Sequence, residues 1–205
     1  MKMSILVALF VVTSISVMAQ SKISVDVHAG TGLAHLTSGN GGIAQSDPRL
    51  GFTGGVGAEL PFHRLWSVQA EFNYQILGGG RDKTNITPLQ GYSRYVLQYA
   101  SVPVLIKLKI PHSGLGIYAG PQYGHLLSSR LRTAAGHDEE TDRLLNRDLS
   151  AVIGAEYYFA LKGGNQIGLS GRYQFSTLNI YKGGDSDLFI KNRVFSYTLG
   201  YRFLK

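Results

Sequence analysis

The 205-residue chain has no cysteine, one tryptophan and six prolines, and only 16% of its residues are charged, against about 25% in an ordinary soluble domain. The missing cysteine excludes a disulfide framework, a thiolate zinc site and a thiol nucleophile. Beyond residue 19 no stretch reaches the roughly 18 apolar residues that a membrane helix needs. Acids are fewer than bases, 13 against 20, giving a formal charge of +7. The excess is scattered rather than gathered in a basic stripe, which excludes a nucleic-acid surface. What is plentiful is aromatic and small: 12 Tyr, 9 Phe and 26 Gly. Such aromatic content argues against disorder, and the glycines have no triplet period. The length suits one domain.

Residues 1–19 read as a secretory signal peptide. Lys2 supplies the basic start, Ile5 to Val12 the apolar core, and Val17-Met18-Ala19 a small-residue cleavage site. The expected mature domain is then 20–205, with its charge lowered from +7 to +6 by the loss of Lys2.

In that mature part the dominant signal is a period of two. From Trp66 to Ile76 every even position is apolar and every odd one polar, the mark of a strand with two unlike faces. The pattern recurs at 167–175 and 195–203, and more weakly at 23–33, 50–60, 95–108, 115–127 and 149–159. Each stretch meets or approaches the roughly 9–11 residues with which a tilted strand crosses a bilayer. Short turn-rich connections (61–65, 111–114, 160–165) alternate with long ones (37–49, 78–91, 128–147, 179–191). This predicts an all-β fold: an eight-stranded, antiparallel, up-and-down transmembrane β-barrel with tight turns on the periplasmic side and long loops outside.

The apolar register of the eight stretches carries no Asp, Glu, Lys or Arg. The opposite register carries Asp26, Glu59, Glu71, Lys107, Lys109, Glu156, Arg172 and Arg202, with polar residues and glycines between them. An eight-stranded lumen is only wide enough for side chains, and buried charges persist when paired. The expectation is a lumen network of ion pairs. A soluble lipocalin-like barrel, apolar side inward, is the alternative; it leaves unexplained a glycine-studded outer face and two aromatic belts. The turn-side belt is Trp66, Tyr157, Phe159, Tyr201 and Phe203; the loop-side belt is Tyr74, Tyr95, Tyr123, Phe175 and Phe195. Pro103 and Pro121, inside strands, predict a bulge or local break at each place.

Several of these residues also lie in family motifs. Tyr99-Ala100-Ser101-Val102-Pro103-Val104-Leu105-Ile106-Lys107, Gly116-Ile117-Tyr118-Ala119-Gly120-Pro121, Gly154-Ala155-Glu156-Tyr157 and Arg172-Tyr173 through Leu178-Asn179-Ile180 resemble the strands of PorT-like outer-membrane β-barrel proteins of Bacteroidetes-type Gram-negative bacteria. The resemblance covers the mature chain and implies an exported outer-membrane barrel. It implies little about activity, and the secretion role of the name-giving members is not carried over. Where such barrels often finish on an aromatic residue, Phe203 is followed here by Leu204-Lys205.

Candidate chemistry is sparse. His125 and Ser128 offer a base and a hydroxyl for a lipid hydrolase, but an odd spacing on a strand puts them on opposite faces, and no acid is placed beside them. His137-Asp138-Glu139-Glu140 has metal-ligand residue types, yet its loop also carries Arg130, Arg132, Arg143 and Arg147 and reads as self-paired. Asn85-Ile86-Thr87 reads as a chance sequon. No catalytic residue, metal or cofactor is expected. The expected protein is a monomeric, non-enzymatic membrane or binding protein, an accessory of an envelope assembly acting through its external loops. A narrow passive channel and an outer-membrane lipid hydrolase are the alternatives. Expected partners are outer-membrane lipid or lipopolysaccharide, met by Arg49, Arg81, Lys83, Lys182, Lys191 and Arg193, and an envelope protein.

Overall fold

The computed structural model describes residues 23–39, 43–45, 48–79, 92–133, 136–139, 145–180 and 189–204. They form ten strands: β1 Ser24–Gly39, β2 Ile43–Gln45, β3 Arg49–Pro61, β4 Trp66–Leu77, β5 Tyr92–Lys109, β6 Leu115–Thr133, β7 Gly136–Glu139, β8 Arg147–Ala160, β9 Gln166–Ser176 and β10 Phe189–Phe203. The expected signal-peptide segment 1–19, Asn85-Ile86-Thr87, Arg81, Lys83 and Lys182 lie outside the described residues.

Eight strands close into a ring in the order β1-β3-β4-β5-β6-β8-β9-β10, and β10 returns to pair with β1 from Val25↔Phe203 to Gly39↔Phe189. Every neighbouring pair is antiparallel. One circuit of the register runs from Gly116 through Glu156, Ser170, Thr198, Gly30, Thr53, Gln75 and Tyr99 and comes back to β6 at Leu126, ten residues further on. A stagger of that size over eight strands tilts them by about 40° from the barrel axis.

The short turns are set by local chemistry. After β5 the Ser113 hydroxyl donates to the Ile110 carbonyl (2.9 Å) and accepts the Leu115 amide (3.1 Å). Between β8 and β9, Gly163 and Gly164 have φ of 96° and 89°, a left-handed pair that side chains resist, and the Leu161 amide closes the turn on the Asn165 carbonyl (2.8 Å).

At the other end the strands run past their expected limits. β1 continues to Gly39, β5 starts at Tyr92, β6 reaches Thr133 and β10 starts at Phe189, so parts of the expected loops 37–49, 128–147 and 179–191 are ladder. β2 adds to β1 and β7 to β6. The alternation of polarity stops where the wall has no lipid to face, while backbone pairing goes on.

The prolines behave differently from a simple bulge. At Pro103 the β4–β5 pairing lapses between Ala70↔Val104 and Asn73↔Ser101 and resumes in the same register. At Pro121 the β5–β6 pairing lapses between Pro103↔Gln122 and Ile106↔Ala119, again without a shift. Both are local breaks. The bulge lies higher, where Gln98↔Ser128 is followed by Tyr99↔Leu126 and leaves Leu127 as the extra residue.

Lumen glycines make room for rings. A Cβ at Gly168 would strike the Tyr158 ring, and one at Gly154 would come within 2.5 Å of the Tyr118 hydroxyl. Overpacking of this kind costs about 1–3 kcal/mol. Gly168→Val is therefore expected to lower the urea midpoint of the barrel refolded in liposomes, while the outward Ala155→Val stays near wild type; tryptophan fluorescence of Trp66 reads both.

Candidate functional site

The lumen is built in three tiers. Nearest the short turns, Glu59 is fully buried and faces three cations: Arg202 (2.7 Å), Lys107 (3.6 Å) and Lys109. Lys107 also donates to Glu156 (2.6 Å), and Arg202 lies 3.9 Å from that carboxylate. The Arg202 guanidinium stacks over the Tyr158 ring at 3.7 Å, a cation–π contact that partly replaces lost hydration. Lys109, 39% exposed, sits at the rim.

The middle tier turns on Glu71. Arg172 donates to both of its oxygens at 2.8 Å, the forked pairing that makes arginine–carboxylate contacts strong. Gln69 (3.0 Å) and Asn73 (2.9 Å) donate to the same carboxylate. The Asn73 amide nitrogen is thereby committed, so its oxygen accepts from His28 Nε2 (2.8 Å), and His28 Nδ1 faces Asp26 (3.0 Å). Both ring nitrogens of His28 thus face side-chain oxygens, one of Asn73 and one of Asp26. Tyr118 stands between the tiers: Lys107 and Arg172 approach its ring at 5.4 and 5.3 Å, and its hydroxyl pairs with Ser170 at 2.6 Å.

Towards the long loops the lumen changes character. Gln75, Ser101, Gln122, Gln174 and Ser150 form an uncharged hydrogen-bonded layer. Above it Asp148 accepts from Ser176 (2.7 Å) and Asn192 (3.1 Å), and Asn192 reaches Tyr99 (3.3 Å). Ala34, Leu77, Leu97, Tyr99, Leu126, Ile180 and Val194 then pack into a buried apolar plug. Ile180, beyond β9, is tied in by backbone bonds to Leu145 (2.7 Å) and Ile190 (3.0 Å). The cavity beside Glu71 and Arg172 has space for little more than one water, and the apolar void by Gly32 and Leu77 for about one.

All eight lumen charges named from the sequence face inward in this structure. Asp148, Tyr99, Tyr118, Tyr158 and the plug were not among them; His28 belongs to the polar residues expected between those charges. Asp148 falls one residue short of its expected strand, whereas Tyr99, Tyr118 and Tyr158 stand on the inward parity of theirs, so position and not residue type was the available signal.

The outer face is apolar. Val25, Val27, Phe52, Phe72, Val102, Val104, Ile106, Ile117, Ile153, Leu169 and Leu199 stand exposed. Aromatic rings gather at two heights. Near the short turns are Trp66, Tyr157 against Phe159 (centroids 4.6 Å apart) and Tyr201 against Phe203 (4.8 Å). Towards the loops are Tyr74, Tyr123, Tyr173 beside Phe175 (5.9 Å) and Phe195 against Tyr197 (4.9 Å). The Tyr95 side chain lies outside the described residues.

Residues 18–182 match the family described as outer membrane protein beta-barrel domain. The chain belongs to that family. Among solved structures the barrel is similar to Ail, the attachment invasion locus protein of Yersinia pestis, with a TM-score of 0.51 and 16% identity over 89% of this chain and 99% of that one. It is similar to OprG from Pseudomonas aeruginosa (TM-score 0.51, 10% identity, 89% and 96% covered) and to Neisserial surface protein A (0.50, 12%, 88% and 97%). At such identities the likeness is one of fold. No curated protein matches the chain.

As an outer-membrane barrel, the chain changes its polarity with height. Between the aromatic belts it is apolar outside and charged inside, as lipid demands. Above the loop-side belt it is apolar inside, at the plug, and its outer face mixes His125 and Arg147 with Leu50 and Leu127. No helix among the described residues is long and apolar enough to cross a membrane; the strands cross instead.

The hydrolase candidate needs a correction. The bulge at Leu127 reverses the alternation, so His125 and Ser128 point to the same outer face, His125 opposite Ala100 and Ser128 opposite Gln98. The residue across from His125 on β8 is Arg147, a base where a triad needs an acid. Of the acidic run, His137, Asp138 and Glu139 lie in β7 with Glu139 opposite Arg130; their side chains, and Glu140, lie outside the described residues. Arg49, expected among the external contacts, donates to the Leu77 carbonyl at 2.9 Å.

Removing one partner of a buried pair leaves the other charged and unmatched, which costs about 3–5 kcal/mol. Glu71→Ala is expected to destabilise the liposome-refolded barrel by that order. The double variant Glu71→Leu/Arg172→Met should recover much of the loss, as read by guanidinium unfolding.

Proposed function

We propose that this protein is a closed, PorT-like outer-membrane barrel, non-enzymatic and monomeric, that serves as a rigid membrane anchor for an external surface recognised by an envelope partner. The carrying observation is the filled lumen. Among the described residues, ion pairs, an amide layer and an apolar plug occupy it in succession, and the cavities beside Glu71 and beside Gly32 each have space for about one water. A path for ions would need all three tiers to part.

The family motifs gain a physical reading in support. Tyr99, Pro103 and Lys107 of the first motif are buried on the lumen side. Tyr118 of the second is the ring that Lys107 and Arg172 share. Glu156 and Arg172 of the last hairpin complete the same network. These motifs describe how an eight-stranded lumen is filled, which is why they point to a fold more than to an activity.

What remains for function is the crown. β1, β2 and β10 rise on one side, and β5, β6 and β7 on the opposite side of the ring, past the ends of the shorter strands. The experiment is conductance in planar bilayers, paired with pull-down from detergent-extracted outer membranes. The reading expects no defined single-channel steps and a partner lost when residues 136–139 are replaced by a Gly-Ser turn. Steady steps that change with Glu71→Gln would favour the passive channel instead.

A further inference from the structure

The side chains immediately above the loop-side aromatic belt are basic along one arc of the barrel. On β10, Arg193 stands two residues beyond Phe195, and Lys191 two beyond that. On β1, His35 stands two residues beyond Leu33 and directly opposite Arg193. On β6, His125 stands two residues beyond Tyr123, and on β8 Arg147 stands two beyond Leu149, with His125 and Arg147 opposite each other. Two residues on a tilted strand raise a side chain by about 5 Å. These groups therefore sit at headgroup depth, just above rings that mark the edge of the hydrocarbon.

Every carboxylate among the described side chains (Asp26, Glu59, Glu71, Asp148 and Glu156) is buried on the lumen side, and none of these five faces the band from outside. The arc also has limits. On β3, β4 and β5 the corresponding outward positions are Leu50, Ile76 and Gln98, which the register places beside Leu33, Phe52 and Ser128. Arg147 is exposed. Arg193 is held outward by its bond to the Tyr173 hydroxyl at 3.1 Å, which fixes the guanidinium above a belt ring with donors left over. Arg147 on β8 and Arg193 on β10 stand on either side of β9, the shortest of the eight wall strands.

We infer that this arc, centred on Arg147 and Arg193 with His125 beside them, binds the phosphate groups of phosphorylated lipid in the outer leaflet. Arginine forks match phosphate oxygens, and a lipid whose acyl chains lie along Phe195, Tyr173 and Tyr123 would bring its phosphates to this height. The inference rests on the barrel's standing in the membrane, and it goes further by naming a lipid class and a side of the barrel. Lys182, Arg81 and Lys83 are not needed for it.

The test uses the folded chain in nanodiscs containing lipid A that carries both phosphates, or the same lipid after dephosphorylation. Lipid retained through detergent exchange is counted by native mass spectrometry. Wild type should retain the phosphorylated lipid at least tenfold better than the dephosphorylated one. Arg147→Gln/Arg193→Gln should abolish that preference, Arg147→Lys/Arg193→Lys should keep most of it, and Gln98→Ala on the opposite arc should leave it intact. Free inorganic phosphate at the same concentration should not displace the lipid. The inference is overturned by equal retention of the two lipids, by an unchanged preference in the Gln double variant, or by displacement with free phosphate. A heat-modifiable band on gels reports the folded barrel separately. Its absence from wild type would refute the membrane reading itself, and should the Gln double variant lack it, the single Arg147→Gln decides.

Discussion

The closing ladder between β1 and β10 is the contact on which the rest depends. In hydrocarbon a backbone N–H or C=O without a partner has no water to fall back on, so a sheet in a bilayer must have no edge. Fifteen register pairs remove the edge that β1 and β10 would otherwise present. Once the ring is closed at eight strands with a stagger of ten, its bore is fixed, and a bore of that width is filled by side chains alone.

That geometry explains the lumen composition. A long cation such as Arg172 or Arg202 crosses the bore, so the positions facing it are small or are acids that meet it. Glycines 154 and 168 leave space for Tyr118 and Tyr158, whose rings separate and solvate the charges. The cost of taking Glu59, Glu71 and Asp26 out of water is offset by three cations around the first, a forked arginine on the second and His28 with Gln69 on the third. Replacing this network by apolar residues would fill the bore equally well, but it would leave a strand greasy on both faces. Such a ribbon has no preferred side and a weakly defined register.

The body of each strand was legible because lipid enforces strict alternation. Trp66–Ile76 shows it without a break, and the inward charges follow by parity. The strand ends were not legible, since above the belt polarity no longer alternates: Ser128–Thr133 pair well with β5 while looking like a loop. The bulge at Leu127 could not be read either, because an inserted residue shifts parity without changing composition, and it reversed the expected relation of His125 and Ser128. Leu77, Leu97, Leu126, Ile180 and Val194 look like ordinary lipid-facing or loop residues in one dimension. Only the ring closure brings them together as a plug. The basic arc was half legible, as Lys191 and Arg193 stood out but Arg147 and His125 joined them only through register.

Alternate residues meet acyl chains on one side and a filled lumen on the other. A chain without cysteine allows single cysteines to be placed and spin-labelled along β10 and β4 in liposomes. Collision rates with oxygen and with a water-soluble nickel complex then report the surroundings of each label. The account predicts high oxygen and negligible nickel contact at Leu199, Tyr197 and Phe72, and little of either at Thr198, Ser196 and Asn73. Nickel contact at Leu199 and Phe72 equal to that of a soluble surface would contradict it.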